Sequence, residues 1–174
     1  MTIGRKGHEF FRRRQVPIKD SVIDLFNHLE FHHAQTIAAK LVEWYSKKQV
    51  DQVLVIYNEF KSAVQQKIVV EQLLPLVPSE PVDPRRYPVG FIFEPGPAKL
   101  LDQLCPLNLN VQIWRMLLES NASEFGARMT AMESASDNAE DMIKELRLFY
   151  KKTRQATITK ELNEIVTGAK ALRG

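Results

Sequence analysis

A single cysteine, Cys105, stands in a chain of 174 residues. It has no mate within the chain, so no internal disulfide can staple the fold, and the usage fits a reducing, cytosolic-side setting. Placed between Leu104 and Pro106, with no arranged base beside it in sequence, it reads as a small buried hydrophobe rather than a nucleophile. No apolar run approaches the roughly 20 residues that cross a bilayer. Met1 is followed by Thr2-Ile3-Gly4-Arg5-Lys6, with none of the apolar core of a secretory leader. Gly4-Arg5-Lys6-Gly7 lacks the spacing of a phosphate loop, so the chain is not expected to bind ATP itself. His28 and His32 are four apart with Glu30 between them, which is half of a metal site without the His-Glu-x-x-His order, and surface histidines are the simpler reading. No zinc spacing and no RNA-binding signature occurs. The expectation is therefore no metal, no cofactor and no nucleic acid. The net charge of +3 is too small to demand a polyanion. Arg5-Lys6 and Arg12-Arg13-Arg14 read as a solvated basic edge, with phosphate contact as the sharper alternative.

What is present divides into two unlike halves. In the first, Ile37, Leu41, Trp44 and Tyr45 recur at helical spacing and predict an amphipathic helix over 36–48, beginning near Phe31 or as early as Asp20-Ser21. Val53-Leu54-Val55-Ile56 is a short β-branched run, the pattern of a strand buried on both faces. Ile68-Val69-Val70 with Leu73-Leu74, stopped by Pro75, predicts a second strand, with a turn or bulge over 58–66. Helix, strand, strand makes an α/β layer: a sheet covered by a helix. Prolines at 75, 78, 81, 84 and 88 then impose a linker. Residues 90–93 are expected to add a short strand, and Glu94-Pro95-Gly96-Pro97 to open a new helix.

Beyond Pro106 there is no proline, and the hydrophobic pattern changes period. Val111, Trp114, Leu118, Asn121, Phe125, Arg128, Met132, Ala135, Ala139, Met142, Leu146, Phe149, Thr153 and Ala156 follow steps of three and four, and eleven of these fourteen are apolar. That is a heptad seam, which slips further on to Ile158, Leu162, Ile165, Val166 and Ala169. A helix from about 110 to 167 would be on the order of 85 Å long, more than a domain of this size can cover. Gly126 inside it disfavours helix by about 1 kcal/mol relative to alanine, and Gly168 is a terminator. No other segment offers a matching heptad run. The seam therefore needs a partner helix, with Ala135 and Ala139 marking close backbone approach and Asn121 and Arg128 as polar positions that set register. A helix folded back into a bundle is the alternative, against which stands the lack of any loop signal.

The segment Ser123-Glu124-Phe125-Gly126-Ala127-Arg128-Met129-Thr130-Ala131-Met132 resembles the long C-terminal helix of F-type ATP synthase gamma subunits. So does 148–169, with its core Arg154-Gln155-Ala156-Thr157-Ile158-Thr159-Lys160-Glu161-Leu162. Ile3-Gly4-Arg5-Lys6-Gly7, Gln72-Leu73-Leu74-Pro75-Leu76 and Phe93-Glu94-Pro95 also fit that family. The resemblance covers essentially the whole chain. It implies a partial Rossmann-like α/β domain over 1–94 and a C-terminal helix over 95–174 that forms half of a coiled coil. Complete gamma subunits are longer, and open with a helix that is the other coiled-coil strand and with the first strands of the globular domain. The chain is thus expected to be a truncated gamma subunit, Met1 falling inside a strand.

The resemblance further implies a central-stalk rotor without catalysis of its own, part of the H+-transporting two-sector ATPase in ATP synthesis and hydrogen ion transport. Its partners would be the alpha and beta subunits, the epsilon subunit, the c-ring and the missing N-terminal helix. The driving ion would be proton or sodium. The location implied is peripheral, on the cytoplasmic face of a bacterial inner membrane, with an organelle inner membrane as the alternative. By the match, Arg128, Gln155, Thr159 and Glu161 fall where the family's helix makes polar contacts with beta subunits, and these are the candidate coupling residues. Ordinary polar helix surface is the plain reading of Gln155, Thr159 and Glu161. A free-standing helical scaffold and a small α/β enzyme with a helical tail are the competing functions. The enzyme lacks any acid-base or nucleophile cluster in the sequence.

Overall fold

The computed structural model describes residues 1–77, 93, 94 and 96–172. The chain divides into two compact units, Met1–Ala127 and Arg128–Gly174. The expected strand over 90–93 and most of the proline-rich linker lie outside the described residues.

The first unit opens with β1 (Thr2–Ile3), α1 (Arg5–Arg13) and β2 (Ser21–Val22), a parallel β-α-β unit in which Thr2 pairs with Ser21 and Ile3 with Val22. Gly4 makes the sharp turn from β1 into α1 at φ 95°, a backbone angle that a side chain would strain. Its N–H donates to the Val22 carbonyl at 2.8 Å, holding the turn to β2. A 3-10 turn (Leu25–Asn27) leads to α2 (Phe31–Ser46). The earlier start considered at Asp20-Ser21 is corrected: those residues enter β2, and Asp20 instead receives the Lys40 ammonium at 2.7 Å and the Ser21 N–H at 2.8 Å. Helix α2 begins where Glu30 and His33 form a reciprocal capping box, the Glu30 N–H donating to His33 Nδ1 at 3.2 Å. His28 lies before the helix. The pair His28 and His32 therefore does not share a helical face, because capping at Glu30 starts α2 after His28.

The hairpin β3 (Val53–Phe60) and β4 (Gln66–Leu74) is antiparallel, with Tyr57 opposite Val69 and Ile56 opposite Val70. It forms a sheet separate from β1 and β2. The expectation that β3 is buried on both faces is corrected. Its odd positions, Val55 and Tyr57, face inward, while Leu54 and Ile56 are 53% and 70% exposed, beside Ile68 and Val70 of β4. The run is continuous in hydrophobicity yet alternates in burial.

Helix α3 (Pro97–Ala171) begins earlier than 110, runs through Pro106 and continues three residues past Gly168, the expected terminator, and the division between the two units falls inside it. Cys105 is half-buried rather than buried. The core joins α2 (Ala34, Ile37, Ala38, Leu41) to Leu73 and Leu74 at the end of β4 and to Leu109, Ile113 and Leu117 of α3. The α2 set falls at i, i+3, i+4 and i+7 and the α3 set steps by four, so each is one stripe. Each large aliphatic side chain so buried stabilises the unit by roughly 1.5–3 kcal/mol.

Gly126 has a packing reason. A Cβ there would stand 3.0 Å from the Phe60 ring and 3.2 Å from the Ala63 Cα, so α3 rests on the β3–β4 turn through a bare backbone. Gly126→Val should lower the unit's unfolding free energy by about 1–3 kcal/mol, as overpacking does, measured by urea titration. The propensity gained by losing a helical glycine, at most about 1 kcal/mol, does not offset a backbone contact that cannot yield. An unchanged or raised midpoint would show that the approach is not tight.

Candidate coupling surface

Two surfaces of α3 do different things. Within the first unit, one face of α3 is fixed to the hairpin. Asn58 sits on β3 where its N–H and C=O point away from β4. Its N–H donates to Ser120 Oγ at 3.4 Å, and its carbonyl accepts from Ser123 Oγ at 3.1 Å. Two serines three apart thus satisfy an outward-facing stretch of strand edge, a device against stray edge pairing. Gly126 follows at the same spacing, giving a small-residue track at 120, 123 and 126. Next to it, Arg115 Nη2 reaches Glu71 Oε1 at 3.0 Å and Oε2 at 2.8 Å, and the Tyr57 hydroxyl donates to Glu71 Oε2 at 3.0 Å. Arg115 also approaches Glu119 at 3.6 Å. The Arg115–Glu71 pair is partly solvated, so it contributes under about 1 kcal/mol; its value is directional, locking the rotation of α3 against β4.

On the neighbouring face the predicted seam is open. Val111, Leu118 and Phe125 are exposed, while Trp114 and Asn121 are partly covered, Trp114 edge-on to Phe31 at 5.9 Å between ring centres. The α/β fold therefore packs mainly on 109, 113, 116 and 117, while the heptad positions 111, 118 and 125 remain outward.

In the second unit this exposure becomes complete: residues 131–172 are exposed throughout. Met132, Met142, Leu146, Phe149, Leu162 and Ile165 lie between 57% and 68% accessible. Some of the charges there pair within the helix: Lys144 with Glu140 at 3.2 Å and with Asp141 at 3.1 Å, and Lys160 with Glu164 at 3.8 Å. Arg128, the first residue of the unit, is exposed. Gln155 and Thr159, four apart, share a face, whereas Glu161 stands roughly 200° around the helix from Thr159. The four candidates are thus dispersed along and around α3, and they form no cluster. Thr159 lies with Ala156, Asn163 and Thr167 along a shallow trough of short side chains. Thr157 and Thr167 turn their hydroxyls back onto the carbonyls of Thr153 and Asn163, at 3.0 and 2.7 Å, and are occupied locally.

Sequence reasoning did not single out Tyr57, Glu71, Arg115, Ser120 or Ser123. The signal was a small residue at every third position ending at Gly126, which reads as close approach only once its partner strand is known. Among the described residues no group of histidine, cysteine and acidic side chains is placed to hold a metal ion. Among them, too, no helix is long and apolar enough to cross a membrane.

Burial, followed by the hydrogen bond to Glu71, pushes the Tyr57 hydroxyl up to about 12 from 10.0. A phenol held neutral by the fold adds stability that is fully present below pH 10 and is lost as pH rises towards 12. Circular dichroism of an alkaline titration should therefore show the first unit loosening between those values, and Tyr57→Phe should remove that component of the pH dependence. If Tyr57→Phe titrates like the parent, the hydroxyl does not govern the transition.

The family model described as ATP synthase matches residues 1–172. The chain is similar to the ATP synthase gamma chain of Geotalea daltonii, 47% identical over 174 residues, covering all of this chain and 60% of that one. It is 49% identical to the ATP synthase gamma chain of a Geobacter species, again covering 60% of it. It thus spans about three fifths of the length of the relatives it matches. Among solved structures, a chain of the Tetrahymena thermophila mitochondrial ATP synthase central stalk and c-ring aligns with a TM-score of 0.54 at 28% identity, over 77% of this chain and 58% of that one. One from the Euglena gracilis mitochondrial enzyme aligns at 0.63 over 98% of this chain and 60% of that one; its identity of 19% speaks to the fold alone. A β-α-β unit and hairpin clasped to a long helix, with the family model spanning residues 1–172, place the chain in the ATP synthase gamma family.

Proposed function

We propose that this chain is the stalk-forming portion of an F-type ATP synthase rotor, with 1–94 as a foot domain and 95–174 as a shaft. The observation that carries the reading is the unbroken α3, clasped to an α/β domain on one face while its heptad seam stays exposed through the second unit. A second helix, as the family's remaining chain supplies, would complete the seam into a coiled coil. Alpha and beta subunits would surround the shaft, while the epsilon subunit and the c-ring would engage the foot at the cytoplasmic face of a bacterial inner membrane. The chain carries no catalytic role. Rotation driven by ion flow would bring different faces of α3 to each beta subunit, which is coupling by differential contact.

Arg128, Gln155, Thr159 and Glu161 are assigned to those contacts. Their dispersal suits a shaft, which must present polar contacts at several angles, and it does not suit a catalytic cluster. Each contact is weak on its own, about 0.2–1 kcal/mol, so coupling is shared among them. A self-associating scaffold is the competing reading, since an open seam also fits a second copy.

Co-expression with the alpha and beta subunits and with the family's remaining chain distinguishes the two. Co-purification in one complex is expected, and a homo-oligomer that leaves alpha and beta behind would refute the rotor. In the assembled enzyme, replacing Gln155, Thr159 and Glu161 together by alanine should leave assembly intact and lower ion-driven ATP synthesis several-fold. Unchanged synthesis would remove these residues from the coupling surface.

A further inference from the structure

The basic residues near the start of the chain have no part in the coupling surface. On α1 they form a stripe. Lys6, Phe10, Arg13 and Arg14 fall at i, i+4, i+7 and i+8, within roughly 100° of the helix circumference. All four are exposed. Gly7 and Phe11 line the cavity beside β1, so α1 meets the fold on another side.

The charges of the stripe are not spent inside the chain. Among the described residues the one ion pair of α1 joins Arg5 to Asp24 at 2.6 Å, and Arg5 lies off the stripe. Glu9 is the only acidic residue of the helix, and it is half-buried. Arg14 lies over the Phe10 ring, its guanidinium carbon 3.6 Å from the ring centre, while the phenylalanine stays 50% accessible.

A purely solvated edge needs cations alone. A ring held among three cations that no carboxylate neutralises has instead the make-up of a helix that lies on a membrane: cations for lipid phosphates, and an aromatic body for the boundary between headgroups and acyl chains. A guanidinium stacked on a ring keeps its N–H edge free for phosphate oxygens. Nucleic acid offers phosphates too, but it binds through aromatic faces left open to stack on bases. Here Arg14 covers one face of Phe10, and Phe11 meets the ring edge-on at 5.3 Å between centres. We infer that the stripe of Lys6, Phe10, Arg13 and Arg14 is a contact for the anionic phosphates of a lipid bilayer surface, with Phe10 entering the headgroup layer. The place of that contact in an assembled enzyme rests on the stalk reading above, which puts 1–94 at a membrane face. Each cation near an anionic leaflet strengthens binding about fivefold, so three make a reversible contact. A fluid leaflet fixes no angle, and such a contact would steady a foot without stopping its rotation.

Vesicle sedimentation of the full chain tests it. The probes are vesicles of phosphatidylcholine alone and of phosphatidylcholine mixed with phosphatidylglycerol. Binding to the mixed vesicles is expected, and it should weaken with added salt. Lys6→Gln, Arg13→Gln and Arg14→Gln together should weaken it at least about tenfold. Removing the same charge from the second unit, by Lys151→Gln, Lys152→Gln and Arg154→Gln, should leave it within about twofold, because charges beyond a Debye length of the leaflet are screened. All six side chains are exposed, so both variants should keep the parent's helicity by circular dichroism. Equal losses in the two variants would show that net charge alone acts, and parent-like binding by the α1 variant would show that the stripe does not; either ends the proposal. Equal binding to both kinds of vesicle would assign the contact to the apolar seam and end it as well. Tighter binding to a single-stranded RNA of equal phosphate content would make a nucleic acid the partner. Failure to bind either vesicle would remove the lipid contact and leave the stalk reading standing, since co-purification with alpha and beta subunits decides that reading separately.

Discussion

Everything distinctive in this molecule depends on a stripe of apolar side chains that the other described residues do not cover. Water penalises such a stripe at about 25 cal/mol per Å², and soluble monomers rarely keep a contiguous patch beyond a few hundred Å². Met142, Leu146 and Phe149 lie on the stripe and are all at least 60% exposed. The first unit has an apolar core of its own, built from α2, the end of β4 and the adjacent stripe of α3. One helix thus carries two apolar faces with different obligations. Positions 109, 113, 116 and 117 are spent on the α/β domain. Positions 111, 118 and 125, continuing from 132 onward, are kept for something else.

On the stalk reading proposed above, the clasp between α3 and the hairpin would let a shaft transmit torque to its foot. Apolar packing alone resists separation better than it resists slippage. Polar contacts with direction add the missing resistance: Ser120 and Ser123 grip the Asn58 backbone, and Arg115 holds Glu71, which Tyr57 also engages. Gly126 lets the two backbones approach closely enough for these short side chains to reach. Individually these interactions are modest. Together they fix one rotation of the helix against the sheet.

Much of this was legible in the sequence, for physical reasons that differ by element. The heptad seam was readable because it repeats over many turns with no proline to interrupt it, and its exposure follows from the lack of a second such run. Helix α2 and the hairpin strands were readable from period and from the stop at Pro75. The one-sided burial of β3 was not. Val53-Leu54-Val55-Ile56 is apolar at every position, and only tertiary packing reveals that Leu54 and Ile56 look outward. The start of α2 was ambiguous between Asp20 and Phe31, and it was settled by the reciprocal cap of Glu30 and His33, which displaces His28 from the helix. Of the proposed coupling surface, the sequence supplied the four residues only through family resemblance. Their dispersal around α3 follows from their spacing, but nothing in composition marks Gln155 above any other exposed glutamine. The Arg115–Glu71–Tyr57 linkage joins residues far apart in sequence and of ordinary types, so no local pattern announces it.

On the reading proposed above, the exposed seam is reserved for a partner and is not a buried surface of this chain. The decisive experiment replaces Leu146 and Phe149 by lysine and measures recovery of the chain with alpha and beta subunits and the family's remaining chain. Surface substitutions that break no internal contact alter stability by no more than about 0.5 kcal/mol each, so the doubly substituted chain should remain folded by itself yet fail to enter the complex. Assembly at the parent's level would contradict the account.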